Sequence, residues 1–224
     1  MSENKQAYTG LAGLKDANDE WNRLQFAIRS VVNQMATTQL VQVKAVREDA
    51  DGFAVDVQPM VAQVDGAGNA VPHGTIHNMP VWRVQGGTSA VVVKPVAGDI
   101  GIAVFASSDI SGVKRSKSPT TPGSWRRFDW SDGMYLGGIL NAAPTQFIRM
   151  DADGITITAG DGLPVTINAP GGLNIAAPTT AIDGDVTVTG DMTTGPGSTF
   201  NGKSFDSHTH GGVQTGSGTS GPPS

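Results

Sequence analysis

Cysteine is absent from the 224-residue chain, which excludes disulfides, thiolate metal sites and cysteine nucleophiles. Glutamate does not recur after Glu48, and beyond Arg149 a single cation, Lys203, remains. No apolar run approaches the ~18 residues of a membrane helix. Residues 1–20 are polar and lack an apolar signal core, so the expectation is a soluble chain without a span or secretory leader. Charged residues make up only 16%, against the roughly 25% of ordinary globular chains. The 30 glycines are about twice the usual ~7% share. A net charge of −5 argues against broad nucleic-acid binding through phosphate neutralisation.

What is present divides near Met150. Residues 1–150 hold 14 Lys and Arg against 13 Asp and Glu, whereas residues 151–224 hold one Lys against seven Asp. The second part also carries 15 of the 30 glycines, two Phe and no Trp or Tyr. Such a stretch cannot build a thick core alone.

In the first part, Trp21, Leu24, Ile28, Val31 or Val32, and Met35 recur at three- and four-residue steps, which predicts an amphipathic helix over residues 18–36. Asp16 or Asn18 is the expected N-cap and Thr37-Thr38 the expected end. Its apolar face is expected to dock on its own domain or a neighbouring subunit, with insertion into a partner or membrane as the rival.

After Thr38 the period changes to two. Residues 40–46 alternate, Asp51-Gly52 turns the chain, and residues 53–59 alternate again, a hairpin pattern. Further strands are expected at 60–64, 79–84, 90–93 and 100–105, separated by Gly-containing turns. Short strands with no helical period between them favour a small antiparallel barrel of the OB type. Residues 107–124, rich in Ser, Pro, Lys and Gly, read as a loop. They lead to Trp125-Arg126-Arg127-Phe128-Asp129-Trp130-Ser131-Asp132. Aromatics interleaved with arginines beside such a barrel could stack bases and clamp phosphates. Asp129 and Asp132 cancel the arginines locally, however, and favour a polar-aromatic connector.

From Phe147 the chain falls into short units, each a brief strand and a turn: 154–159, 164–169, 172–177, 179–184 and 185–190. The central aliphatics Ile157, Ile167, Ile175, Ile182 and Val188 form an irregular repeat. In four units a second aliphatic precedes by two residues, at Ile155, Val165, Leu173 and Val186. Both then share one face, with Thr or Asn on the other. Two aliphatics per unit do not offset the entropy of ordering a whole unit. Winding identical chains together encloses each inward stripe and gives each strand edge a partner. Three chains form the smallest closed section, so the expectation is a homotrimeric, intertwined triple-stranded β-helix. A single-chain β-helix needs a longer unit.

Near the end, His208-Thr209-His210 sets two imidazoles at i and i+2, on the same side of an extended strand. One chain offers two nitrogens; threefold symmetry offers six, in two layers of three. Such an octahedral set suits Fe²⁺, Ni²⁺ or Co²⁺ better than tetrahedral Zn²⁺. With every position filled no water is activated, so the site is structural. His73 and His77 have no comparable partner and read as ordinary loop residues.

The order of parts resembles the central baseplate spike of contractile-tailed, Mu-like bacteriophages. The resemblance is carried by Asp56-Val57-Gln58-Pro59, by residues 96–111, by Arg126-Arg127-Phe128-Asp129-Trp130-Ser131-Asp132-Gly133 with Leu136-Gly137-Gly138, and by His208-Thr209-His210-Gly211-Gly212. It spans residues 38–224. After the N-terminal tail and helix (1–37), which it leaves unassigned, it implies a mainly β fold: an OB-like barrel (38–106), a loop and connector (107–146), a trimeric β-helical spike (147–200) and a metal-pinned tip (201–224). It further implies a homotrimer in the virion, made in the host cytoplasm, that caps the tail tube beside baseplate hub proteins. On sheath contraction the spike pierces the host outer membrane. The resemblance implies one structural iron ion (Fe²⁺) per trimer, held by His208 and His210. No catalytic residue and no nucleic-acid partner is expected. Two rivals differ in kind: a nucleic-acid-binding OB protein using Trp125, Arg126, Arg127 and Trp130, and a metal-dependent hydrolase with His208 and His210 as ligands.

Overall fold

The computed structural model describes residues 19–49, 52–65, 67–204 and 216. The chain is mainly β with a long N-terminal helix and a curled antiparallel sheet. It forms two units, residues 1–164 and 165–224.

Helix α1 spans Glu20–Gln34. Its N-cap is Asp19, not Asp16 or Asn18: the Asp19 carboxylate accepts the Asn22 N–H at 2.8 Å, and Glu20 adds negative charge to the first turn. The helix stops where Met35 turns extended. The backbone is then tied down, since the Ala36 N–H donates to the Phe128 carbonyl and the Phe105 N–H donates to that of Thr37, both at 2.9 Å. The 3–4 spacing of apolar residues produces the helix, yet no α1 residue is buried. Docking on its own domain is therefore not what one chain achieves. Among the described residues no helix is long and apolar enough to cross a membrane.

The strands in chain order are β1 (Thr38–Asp49), β2 (Gly52–Pro59), β3 (Gln63–Val64), β4 (Ala70–Val71), β5 (Ile76–Pro80), β6 (Val84–Gly86), β7 (Ser89–Val91) and β8 (Ile100–Phe105). A short helix α2 (Ser111–Ser116) and a 3₁₀ turn (Trp130–Asp132) precede β9 (Gly133–Gly138). The principal sheet has the order β5-β2-β1-β8-β9, with every neighbour antiparallel. It curls until the Trp82 N–H, just after β5, reaches the Tyr135 carbonyl of β9 at 2.8 Å, beside a parallel bridge between Val81 and Tyr135. This is the partly open, five-stranded arrangement expected of an OB-like barrel.

The strand at 60–64 shrinks to β3 and that at 90–93 to β7; both sit in separate two-stranded hairpins, β3-β4 and β6-β7. The fifth strand of the sheet is β9, from the stretch that reads as connector. Its Gly-rich sequence, Gly-Met-Tyr-Leu-Gly-Gly, masks the alternation that puts Gly133 and Tyr135 inside.

The core is Ala36, Val41, Val43, Val55, Val57, Met79, Ala103, Phe105 and Tyr135, with Val46, Ile76, Val81 and Trp130 packed against it. Alternation on β1 and β8 sends one face inward. A bulge between Val43 and Ala45 re-aims β1 midway, which helps the sheet curl. Gly101 is required where β8 passes β9, because a Cβ there would collide with the Tyr135 ring and the Gly137 carbonyl.

Beyond the barrel, β10 (Phe147–Asp151) and β11 (Gly154–Thr158) form a hairpin that pairs Ile148 with Ile157 and Met150 with Ile155. Asp151 Oδ1 closes its turn by accepting the Asp153 N–H at 3.0 Å. From 159 to 198 no described residue is paired in a strand within the chain. The units expected at 164–190 thus form no strand within the chain, and turns punctuate them, such as that closed by the Gly172 N–H on the Ala169 carbonyl at 2.9 Å. The described part of the second unit ends in β12 (Thr199–Phe200) and β13 (Lys203–Ser204).

Candidate functional site

His208 and His210 lie outside the described residues. The described chain approaches them through the β12-β13 hairpin, where Thr199 pairs with Ser204 and Phe200 with Lys203. Its two-residue loop, Asn201-Gly202, has φ of 50° and 74°. Positive φ at both positions is the type I′ requirement, and Asn-Gly is the dipeptide that meets it at least cost. Sequence reasoning passed over this turn although the dipeptide signalled it. Among the described residues no group of three or more His, Cys, Asp or Glu could hold a metal ion.

His77 does not lie in a loop. It sits on β5, with Nδ1 2.9 Å from Asp56 Oδ2. Asp56 is buried on β2, where it also accepts the Asn78 N–H at 2.9 Å and the Arg47 guanidinium. Burial alone would raise the Asp56 pKa; the bonds from His77, Asn78 and Arg47 outweigh it and hold the carboxyl at about 2. His73 offers its carbonyl to Gln58 Nε2 at 3.0 Å and lays its ring 5.0 Å from that of Trp130. Both histidines thus brace the β2-β5 side of the barrel.

Of the four residues in the nucleic-acid reading, the structure withdraws two. Trp130 packs edge-on against Phe105 at 5.1 Å. The Arg126 guanidinium is held between two buried carboxylates: Nε donates to Asp132 Oδ2 at 2.7 Å, and Nη2 donates to Asp109 Oδ1 at 2.8 Å and Asp132 Oδ1 at 2.9 Å. Asp109 is further fixed by the Ser111 N–H at 2.8 Å and the Ser124 hydroxyl at 2.7 Å, and Asp132 by the Ile110 N–H at 3.0 Å. Bonds from Ser111, then Ser124, with Arg126 alongside, bring Asp109 to about 2. Asp132 is likewise lowered, chiefly by its bond from Arg126. This knot clips residues 107–132 onto the barrel mouth beside β9, so Arg126 is not available to clamp a phosphate. Arg127 donates to Ser108 Oγ at 2.6 Å, and Trp125, 96% exposed, stands alone. Asp132 is the local counter-charge that the sequence places beside the arginines, whereas Asp109 is not signalled, because nothing local ties position 109 to 126 and 132.

The repeat presents the opposite condition. Its aliphatics are all exposed: Ile167 by 68%, Ile175 by 65% and Val186 by 61%, with Ile155, Ile157, Val165, Leu173, Ile182 and Val188 similar. The turns between units are glycine-dependent, as at Gly184 with φ of 135°. The polar surface of a globular domain does not carry so long a file of bare aliphatics.

Residues 204–224 match the family model described as the GpV Apex motif. No curated protein matches the chain. The matched segment contains His208 and His210 and begins at Ser204, the last residue of β13. Over these residues the chain is similar to the apex of a phage baseplate spike protein, which is consistent with the tail-tip spike that the order of the parts resembles.

Proposed function

We propose that the chain is the central spike of a contractile phage tail: a homotrimer that caps the tail tube through its barrels and perforates the host outer membrane when the sheath contracts. The observation that carries this reading is the file of exposed aliphatics from Val165 to Val188 along a segment that has no strand partner among the described residues. An extended backbone needs hydrogen-bond partners, and an aliphatic stripe needs cover. Two further copies of the same segment supply both, enclosing the aliphatics on the axis and leaving Thr, Asn and Asp outside. The resulting shaft is stiff because its pairing is between chains, and its acidic, uncrowded exterior resists sticking.

At the tip His208 and His210 of three chains furnish six imidazole nitrogens. That donor set fits a structural iron ion, which when bound supplies a cross-link between three chains at a point too thin for an apolar core. Gly211 and Gly212 permit the close approach of backbones that such a point needs. The protein's work is mechanical, and no side chain is assigned to catalysis. Domain boundaries follow the sequence reading, with the barrel completed by β9.

Sedimentation of the full-length protein with elemental analysis tests the proposal. Three chains with about one iron per trimer are expected; a monomer without metal overturns it.

A further inference from the structure

Helix α1 has an apolar face that one chain leaves uncovered. Trp21 is 65% exposed and Leu24, Ile28, Val31 and Val32 are each more than half exposed. A 15-residue helix with no buried side chain is marginal in water, because helices shorter than about 12–15 residues depend on packing. The Asp19 cap alone does not change that.

The spacing of the face says what covers it. In a seven-residue frame Trp21, Ile28 and Met35 take the first position and Leu24 and Val31 the fourth, the seam of a parallel coiled coil. The flanking positions Gln25, Ala27, Val32 and Gln34 carry no charge, and the one flanking acid, Glu20, falls opposite Gln25 of a copy. A copy of the helix therefore meets no like charge, and nothing along the flanks selects a foreign charged partner. The helix also leaves the barrel from a fixed point, since Ala36 is buried and bonded to Phe128 immediately after it. Three barrels on one axis present three such starting points.

We propose that α1 packs along this stripe against α1 of two further copies, in parallel, forming a three-helix seam N-terminal to the barrels. The proposal rests on the threefold reading above. It adds a second trimerising element, distant in sequence from the stalk, which sets the three chains in register before their repeats wind together.

The chain has no cysteine, so single thiols can be placed at will. Full-length Ile28→Cys, on the seam, and Asn33→Cys, on the outer face, are each treated with a short bismaleimide, and the number of chains is measured by sedimentation on the same samples. Ile28→Cys is expected to link chains at least tenfold faster than Asn33→Cys in a trimer. A trimer in which the two sites link equally, or in which Ile28→Cys does not link, overturns the helical seam while leaving the stalk reading intact. A monomer overturns both.

Discussion

A carboxylate held ionised by hydrogen bonds favours the folded chain only while it stays ionised. Asp56 and Asp109 both titrate at about 2 when folded, below their ordinary 3.8. Their contributions are therefore complete above about pH 3.8 and are lost as pH falls through about 2. Urea unfolding of the full-length protein, followed by tryptophan fluorescence, is expected to show stability falling across that acid window. Asp56→Asn should lower stability at neutral pH, where the charged form bonds His77, Asn78 and Arg47, and should flatten the acid limb. An unchanged acid limb in that variant would show that the Asp56 cluster contributes nothing. Arg126 belongs to the same scale: removing its guanidinium leaves Asp109 and Asp132 facing each other at the barrel mouth without a cation between them.

Among the elements, those with a strong internal period were the legible ones. The 3–4 spacing from Trp21 to Met35 located α1, and alternation located β1, β2 and β8, because each pattern expresses a local geometry that a face must obey. The N-cap shifted to Asp19 because two acids and an amide compete within four residues and only the backbone decides which carboxylate meets an N–H. The strand β9 escaped notice because Gly137 and Gly138 contribute no side chain to alternate. Of the Arg126 knot, Asp132 was legible as a local counter-charge, while Asp109 escaped because it is brought to Arg126 only by the fold. At the tip, the two histidines were legible as a pair, while the Asn201-Gly202 turn before them was visible and overlooked. For α1 itself, Asp19→Ala is expected to cost about 1 kcal/mol of helix stability. Faster amide exchange confined to residues 20–34 would register the loss, and unchanged exchange there would mean that packing on other copies outweighs the cap.

At the scale of the molecule, two materials are joined. The barrel closes on its own core of valines, Met79, Phe105 and Tyr135, whereas the repeat has a stripe without a core. The stripe was legible as a repeat because turn, aliphatic and Thr or Asn recur. How its edges pair was not, since no partner strand lies among the described residues. Metal and shaft are separable in this account. The double variant His208→Ala with His210→Ala should lose bound metal yet remain trimeric by sedimentation, because the enclosed aliphatics and not the tip hold the chains together. Dissociation into monomers would reverse that order of importance.

Amide hydrogen exchange across residues 165–190 of the full-length protein examines the intertwined stalk most directly. The account predicts slow exchange along the strands around Ile167, Ile175, Val186 and Val188, although they have no strand partner among the described residues of their own chain. Exchange throughout this segment at the rate of an unstructured peptide would contradict it.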